Sequence, residues 1–290
     1  MNEKREQLIV DFAGRKGEMS VRGWPVANPR GRVICLHGVG SSGAEFGLLA
    51  TRLNELGYDV LCPDWLGHGD SDFLNEPAAY RWEVYVRSIV VMMLRYKAKR
   101  VHFVGVSWGG MMLLLYLVGS RFQATSATFV DVPLIAHPDL IQSTRNMRTV
   151  SDARFDTLEE MEAFLFKRRP DLGMVPDGFR DYLREARFVE RDGKYRVKFD
   201  PAVIGIMEQY GATQFDNFRA LDRYAFECYF LYGRLSPFRD PARFKPYLTR
   251  YKNLHYSDML DAAHPPSLLT LDQLEPITAF IENVTEGLKR

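Results

Sequence analysis

Residues 100–118 read RVHFVGVSWGGMMLLLYLV. From Val101 to Val106 the run is apolar apart from His102 and shows no polar alternation, the pattern of a strand buried on both faces. Residues 111–118 are apolar nearly all round, which predicts a helix packed centrally against a sheet. At the junction, Gly105-Val106-Ser107-Trp108-Gly109 fits G-x-S-x-G. A serine on so tight a strand-to-helix turn is held in strained backbone, and a side chain at either flanking glycine would clash. A glycine-rich packing turn with an incidental serine is the competing reading, and the strand before and helix after argue against it. Ser107 is therefore the candidate nucleophile.

The same rhythm extends in both directions. RVICLH (32–37) reads as a buried strand, and a glycine-rich turn then leads into a helix over 44–56 that stops at Gly57. YDVLCPD is the next strand, and Trp82, Tyr85, Val86, Ile89 and Met93 mark a helix over 82–97. A strand over 124–133 closes this half. After a break come a strand (225–233), a helix (241–247), a strand (252–257) and a last helix (271–288). Strands alternating with helices in this way imply a parallel sheet with crossover helices. Before residue 32, QLIVDF and EMSVRGW predict an antiparallel pair with Gly14 and Gly17 at the bend. Between 133 and 224 helical segments (157–167, 179–188) dominate and no strand resembles the earlier ones, so this stretch reads as an insertion.

Composition narrows the function classes. The 290 residues allow one large domain or two modest ones at roughly 150 residues each. A charged fraction of 26% excludes disordered and collagen-like chains. Lys+Arg total 38 against 37 Asp+Glu, a net charge of +1 that ill suits a polyanion, so no nucleic-acid partner is expected. The longest apolar run, 111–118, falls far short of the roughly 20 residues of a membrane helix. The start MNEKREQLIVDF is too charged for a secretory signal. A soluble, cytoplasmic protein without a membrane partner is expected. Cys35, Cys62 and Cys228 are odd in number and sit in apolar runs without a CxxC pattern, which reads as buried thiols rather than a disulfide or zinc framework.

A serine hydroxyl is a weak nucleophile until a neighbour accepts its proton. Of six histidines, His102 and His255 fall in strands, His68 in the turn Gly67-His68-Gly69-Asp70-Ser71, and His137 at the start of the insertion. His37 precedes a glycine at a strand end and reads as shaping that loop. His264, in Ala262-Ala263-His264-Pro265-Pro266 between the last strand and the last helix, is the candidate base. Acyl transfer also needs two backbone N–H groups aimed at the developing oxyanion. Trp108, at a helix N-terminus, and Val39, in the loop His37-Gly38-Val39-Gly40-Ser41-Ser42, are the candidates. Asp64 and Asp70 sit in turn chemistry and read as structural.

The ordered set His37-Gly38, Asp64-x-x-Gly67-His68-Gly69-x-Ser71, Gly105-x-Ser107-x-Gly109 and His264 resembles the α/β-hydrolase superfamily over residues 31–287. The resemblance implies a mostly parallel eight-stranded sheet flanked by helices, with a helical cap inserted after strand six. The core would then be 1–132 and 225–290, and the cap (lid) 133–224. The elbow Ser107-Trp108-Gly109-Gly110 is similar to that of proline iminopeptidases, and the capped layout also resembles esterases, carbon–carbon bond hydrolases and haloalkane dehalogenases. A dehalogenase would need Asp where Ser107 stands, which excludes that activity.

The acid of the triad departs from the family pattern. Most members carry G-x-x-D after the seventh strand, but here the stretch reads Gly233-Arg234-Leu235-Ser236-Pro237-Phe238-Arg239-Asp240, and neither Ser236 nor Pro237 can stabilise an imidazolium. Asp131, at the end of the sixth strand, is the first choice for the acid; its alternative role is to bond loop amides at the cap entrance. Asp240, at a helix start where it could equally be a cap, is the second choice. Loss of the acid altogether is the third reading.

Residues 167–198 hold ten basic side chains (Lys167, Arg168, Arg169, Arg180, Arg184, Arg187, Arg191, Lys194, Arg196, Lys198) and six acidic ones. They read mainly as the solvated face of lid helices and a hairpin around Asp192-Gly193. The alternative is that one arginine faces the active site and binds a substrate carboxylate. Some of the aromatic and apolar cap residues (Phe155, Phe164, Phe166, Phe179, Phe188, Ile204, Met207, Phe215) are needed to bury the cap against the core, so they do not by themselves define an acyl pocket. The expected function is that of a carboxylesterase-like serine hydrolase of a small ester-like substrate, working through Ser107, His264 and Asp131 with no metal or organic cofactor. The alternatives are a proline iminopeptidase-like aminopeptidase and a non-catalytic ligand-binding relative. A homodimer is compatible with the sequence.

Overall fold

Successive side chains of a strand point to opposite faces, so a sheet buried on both sides needs apolar residues at every position. The central strands meet this demand. In the computed structural model, which describes residues 3–120, 122, 124–169, 177–259 and 262–288, β1 (Lys4–Phe12), β2 (Arg15–Trp24), β3 (Arg32–Leu36), β4 (Asp59–Pro63), β5 (Val101–Val106) and β6 (Ser126–Val130) are joined in one sheet by two later strands. Its order is β1-β2-β4-β3-β5-β6-β9-β10, with β9 at Glu227–Gly233 and β10 at Leu254–Met259. β2 runs antiparallel to both its neighbours and every other pairing is parallel.

Helices close both faces. On one, α1 (Gly47–Glu55) and α9 (Leu271–Gly287) lay Leu49, Leu53, Ile277 and Ile281 over Cys35, Val104 and Val106. On the other, α2 (Trp82–Arg95), α3 (Trp108–Gly119) and α8 (Pro241–Arg250) lay Ile89, Met112 and Phe244 over the alternate residues Leu36, Phe103 and Phe230. Each such fully buried side chain contributes about 1.5–3 kcal/mol of transfer free energy. Cys35, Cys62 and Cys228 are free, buried thiols. Among the described residues no helix is long and apolar enough to cross a membrane.

Between β6 and β9 the described residues add no strand to this sheet. They form α4 (Pro138–Asp152), α5 (Leu158–Arg168), α6 (Asp177–Arg187), a small hairpin of β7 (Phe188–Arg191) and β8 (Lys194–Val197), and α7 (Ile204–Ala212). Residues 170–176, within the stretch read as a cap, lie outside the described residues. The Thr157 hydroxyl accepts from Glu160 N at the start of α5, with Glu159 and Glu160 in the first turn and Lys167 and Arg168 in the last. This charge order complements the helix dipole. The hairpin turns at Asp192-Gly193, as expected.

Two expectations need correction, and one helix was not anticipated. The bend between β1 and β2 is Ala13-Gly14, both at positive φ (48° and 76°), while Gly17 lies inside β2 opposite Val10. The helix expected over 44–56 begins instead as a 3-10 turn (Gly43–Phe46) before α1. α4 had no visible signal because its buried positions are Thr144 and Ser151 rather than an apolar stripe.

Candidate active site

Ser107 stands where β5 gives way to α3, at φ 47° and ψ −115°. A non-glycine residue there costs on the order of 1–3 kcal/mol and is kept only by its surroundings. Ser107 N donates to Val130 O at 2.9 Å, and Ser107 O accepts from Met111 N at 3.0 Å. The flanking glycines are required by close approach: a Cβ on Gly109 would lie 2.2 Å from Leu36 O, and one on Gly105 2.7 Å from Gly110 Cα.

His264 lies on the segment between β10 and α9, just past residues 260 and 261, which are outside the described set. Its Nε2 is 3.0 Å from Ser107 Oγ. On the far side of the ring, Nδ1 is 3.2 Å from Asp131 Oδ1, within ion-pair reach but off the line of a hydrogen bond. Asp131 directly follows β6, at φ 53°, and is 0% exposed. Its Oδ1 accepts from Ser236 Oγ at 2.5 Å and its Oδ2 from Gly233 N at 3.1 Å. The structure thus brings Ser107, His264 and Asp131 together. Asp240 instead caps α8, accepting from Arg243 N at 3.1 Å.

Sequence reasoning dismissed Ser236 because it cannot stabilise a cation. In the structure it hydrogen-bonds Asp131, the candidate acid. Its Oγ also accepts from Phe238 N at 3.2 Å, and the Phe238 ring meets His264 edge-on, with centroids 4.4 Å apart. A hydroxyl standing where G-x-x-D was expected was the available signal.

The loop after β3 faces the serine. A Cβ on Gly38 would sit 3.6 Å from Ser107 Cβ, and Gly40 takes φ 71° with Met147 so close that a Cβ would lie 2.1 Å from its Cε. Val39 and Trp108 border one small apolar lobe with Ser107 and His264. The Trp108 N–H, in the first turn of α3, has no acceptor within the helix. His37 is buried behind this loop: its Nε2 accepts from Trp65 N at 2.9 Å, so Nδ1 donates to Gly38 O at 2.7 Å. Burial, reinforced by nearby His68, holds its imidazole well below the ordinary pKa. His37 is a loop strut.

The other candidates from the turn after β4 are structural too. Asp64 is buried, accepting from Gly43 N at 2.7 Å and Asp70 N at 2.9 Å beside fully buried Arg22. Burial raises its carboxyl against the pull of Arg22. Asp70 pairs with Arg22, Arg5 and Lys198. His68 stacks on Phe199, and burial lowers its pKa to about 4. Away from the site, His102 contacts Ser126, His137 caps α4 and His255 pairs with Glu227.

The cavity over Ser107 and His264 measures about 350 Å³, and Arg168, Arg169, Arg187 and Glu45 are among its lining residues. The apolar lobe adds about 40 Å³ beside Trp108, Met111 and Tyr210. The arrangement can deprotonate a hydroxyl, hold the resulting imidazolium beside a carboxylate, and admit a small carbonyl compound.

Residues 31–125 match the α/β-hydrolase-fold family model. Over 85 residues the chain is 35% identical to a 3-hydroxybutyrate-oligomer hydrolase of Cupriavidus necator, covering 29% of this chain and 28% of that one. It is 33% identical over 94 residues to a proline iminopeptidase of Lactobacillus delbrueckii subsp. lactis, covering 31% and 32% respectively. The alignments thus span under a third of these relatives' lengths. An α/β hydrolase from Novosphingobium aromaticivorans superposes with a TM-score of 0.77 at 21% identity, covering 98% of each chain. Sheet order and these likenesses give the chain the α/β-hydrolase fold, with the family model matched over residues 31–125.

Proposed function

We propose that the protein is a serine hydrolase that cleaves a small ester through an acyl-enzyme, with residues 133–224 acting as its cap. The observation that carries this reading is the continuous chain of contacts from Ser107 Oγ through His264 to the buried Asp131. His264 Nε2 takes the proton as Ser107 Oγ attacks the carbonyl. The amides of Val39 and Trp108 hold the oxyanion. Collapse of the tetrahedral intermediate returns the proton to the leaving alcohol, and His264 then activates a water that releases the acid. Asp131 keeps the imidazole in the tautomer with Nδ1 protonated and stabilises its cationic form. The small apolar lobe beside Trp108 favours a short chain on one side of the scissile bond.

Ser107→Ala is expected to lower ester turnover by about a thousandfold or more, and to abolish labelling by a fluorophosphonate. Turnover near that of the unmodified protein would refute the assignment. Aminopeptidase action is the second reading, favoured by the likeness to proline iminopeptidases over 94 residues. It requires carboxylates for a substrate amino terminus, and the main cavity offers Glu45 against three arginines. Proline para-nitroanilide turned over faster than any short ester would select it.

A further inference from the structure

The end of β9 and the turn after it, residues 233–239, touch the candidate acid and base at several points. Gly233 N donates to Asp131 Oδ2 at 3.1 Å, and Ser236 Oγ donates to Oδ1 at 2.5 Å. Leu235 N donates to Ala262 O at 3.0 Å, which staples the turn to the segment carrying His264. Phe238 N donates to Ser236 Oγ at 3.2 Å, and the Phe238 ring stands at 89° to the His264 imidazole with centroids 4.4 Å apart. One short turn thus carries both the hydrogen bonds to the acid and a packing contact on the base.

The imidazole has few other restraints. Pro265 restricts the backbone of His264 to extended conformations but leaves its side-chain torsions free. Nε2 is 3.0 Å from Ser107 Oγ in a hydrogen bond. Nδ1 is buried and makes no hydrogen bond among the described residues, although Asp131 Oδ1 is 3.2 Å away. One directional bond at a single corner leaves a planar ring free to rock about it. A second ring set against it at right angles, a favoured geometry for such pairs, removes that freedom. Phe238 also borders a cavity of about 290 Å³ with Pro133, His137 and Arg239, which His264 does not line. Trimming the Phe238 ring would give the imidazole room to turn away from Ser107. Resting on the serine-hydrolase reading above, we infer that Phe238 is a positioning residue whose ring holds His264 in the plane that presents Nε2 to Ser107 Oγ. Phe238 lines neither the main cavity nor the apolar lobe, so its loss should cost turnover and not substrate binding.

The test compares Phe238→Leu, which keeps apolar bulk without a flat ring, with Phe238→Tyr, which keeps the ring, on a short para-nitrophenyl ester. Phe238→Leu is expected to lose about tenfold in kcat with KM within about twofold, and Phe238→Tyr to keep at least about half of kcat. Ile281→Val, which trims a fully buried residue of α9, is the stability control: it lowers the melting temperature with kcat within about twofold. Should Phe238→Leu not fold by circular dichroism, Phe238→Met takes its place, since a flexible side chain fills the gap without fixing a plane. A kcat within about twofold in the ring-less variant, a loss borne mainly by KM, or equal losses in Phe238→Tyr or Ile281→Val overturn the inference. A second readout needs no turnover. In protein carrying isotope-labelled histidine, the ring nitrogens of His264, identified by their absence in His264→Gln, should report one tautomer in the unmodified protein and an average of two in the ring-less variant. Unchanged resonances overturn the inference. If no ester is turned over and Ser107 resists the fluorophosphonate, the hydrolase reading fails, and these resonances alone decide whether Phe238 fixes the ring.

Discussion

Replacing Asp131 by Asn keeps the shape of the side chain and removes its charge, 3.2 Å from His264 Nδ1. At that separation and an effective dielectric near 20, the interaction with an imidazolium amounts to about 5 kcal/mol. Each factor of ten in rate corresponds to about 1.4 kcal/mol of barrier, so the loss in kcat is on the order of 10³ to 10⁴. The Asn amide adds a second handicap, since its NH₂ facing His264 favours the tautomer that cannot accept the serine proton. The assay is hydrolysis of a short para-nitrophenyl ester across pH, with circular dichroism to show that the variant is folded. Asp240→Asn is the control: Asn caps a helix about as well as Asp, so stability should stay within about 0.5 kcal/mol and kcat within about twofold. An Asp131→Asn protein that keeps more than about a tenth of its activity would refute the electrostatic reasoning, and a large loss in Asp240→Asn would move the acid there.

Two further outcomes follow from the same geometry. Ser236→Ala deletes the 2.5 Å hydrogen bond to Asp131 and leaves Gly233 N as the carboxylate's remaining protein donor among the described residues. A charge-assisted bond contributes about 1.5 kcal/mol or more, so kcat should fall about tenfold; an unchanged kcat would show that Ser236 does not position the acid. His68 and His102 are both held near pKa 4 by burial, below the ordinary 6.5. The unfolded chain therefore binds more protons than the folded one between pH 6.5 and 4, and stability should drop as pH falls through that window. Each histidine adds a slope of up to about 1.4 kcal/mol per pH unit. Urea midpoints measured across the window should flatten in His68→Phe, and an unaltered slope would contradict the assignment.

The sequence made the candidate nucleophile and base plain because both obey local rules. The strand-turn-helix around Ser107 is written in Gly105, Gly109 and the apolar runs beside them, and His264 is set apart by its loop. Asp131 was visible as a strand-end carboxylate, but only the adjacency of β6 and β9 showed that Ser236 and Gly233 reach it. That contact joins residues more than a hundred positions apart, and no local pattern encodes it. Arg187 was one of ten basic residues in its stretch. Its direction depends on how α6 docks against the turn carrying Glu45, which charge counting does not reveal. The buried polar face of α4 was invisible for a similar reason, since hydropathy periodicity registers apolar stripes and not buried hydroxyls.

The position of Asp131 ties two processes together. In this chain the carboxylate beside His264 sits two residues before residue 133, where the inserted segment leaves the sheet. A carboxylate carried instead on the loop after β9 would be separated from that departure point by the whole insertion. On the proposed reading, a cap formed by residues 133–224 would leave the sheet next to the carboxylate that holds the imidazole, so closure over a substrate and alignment of the base would be coupled at one point of the chain.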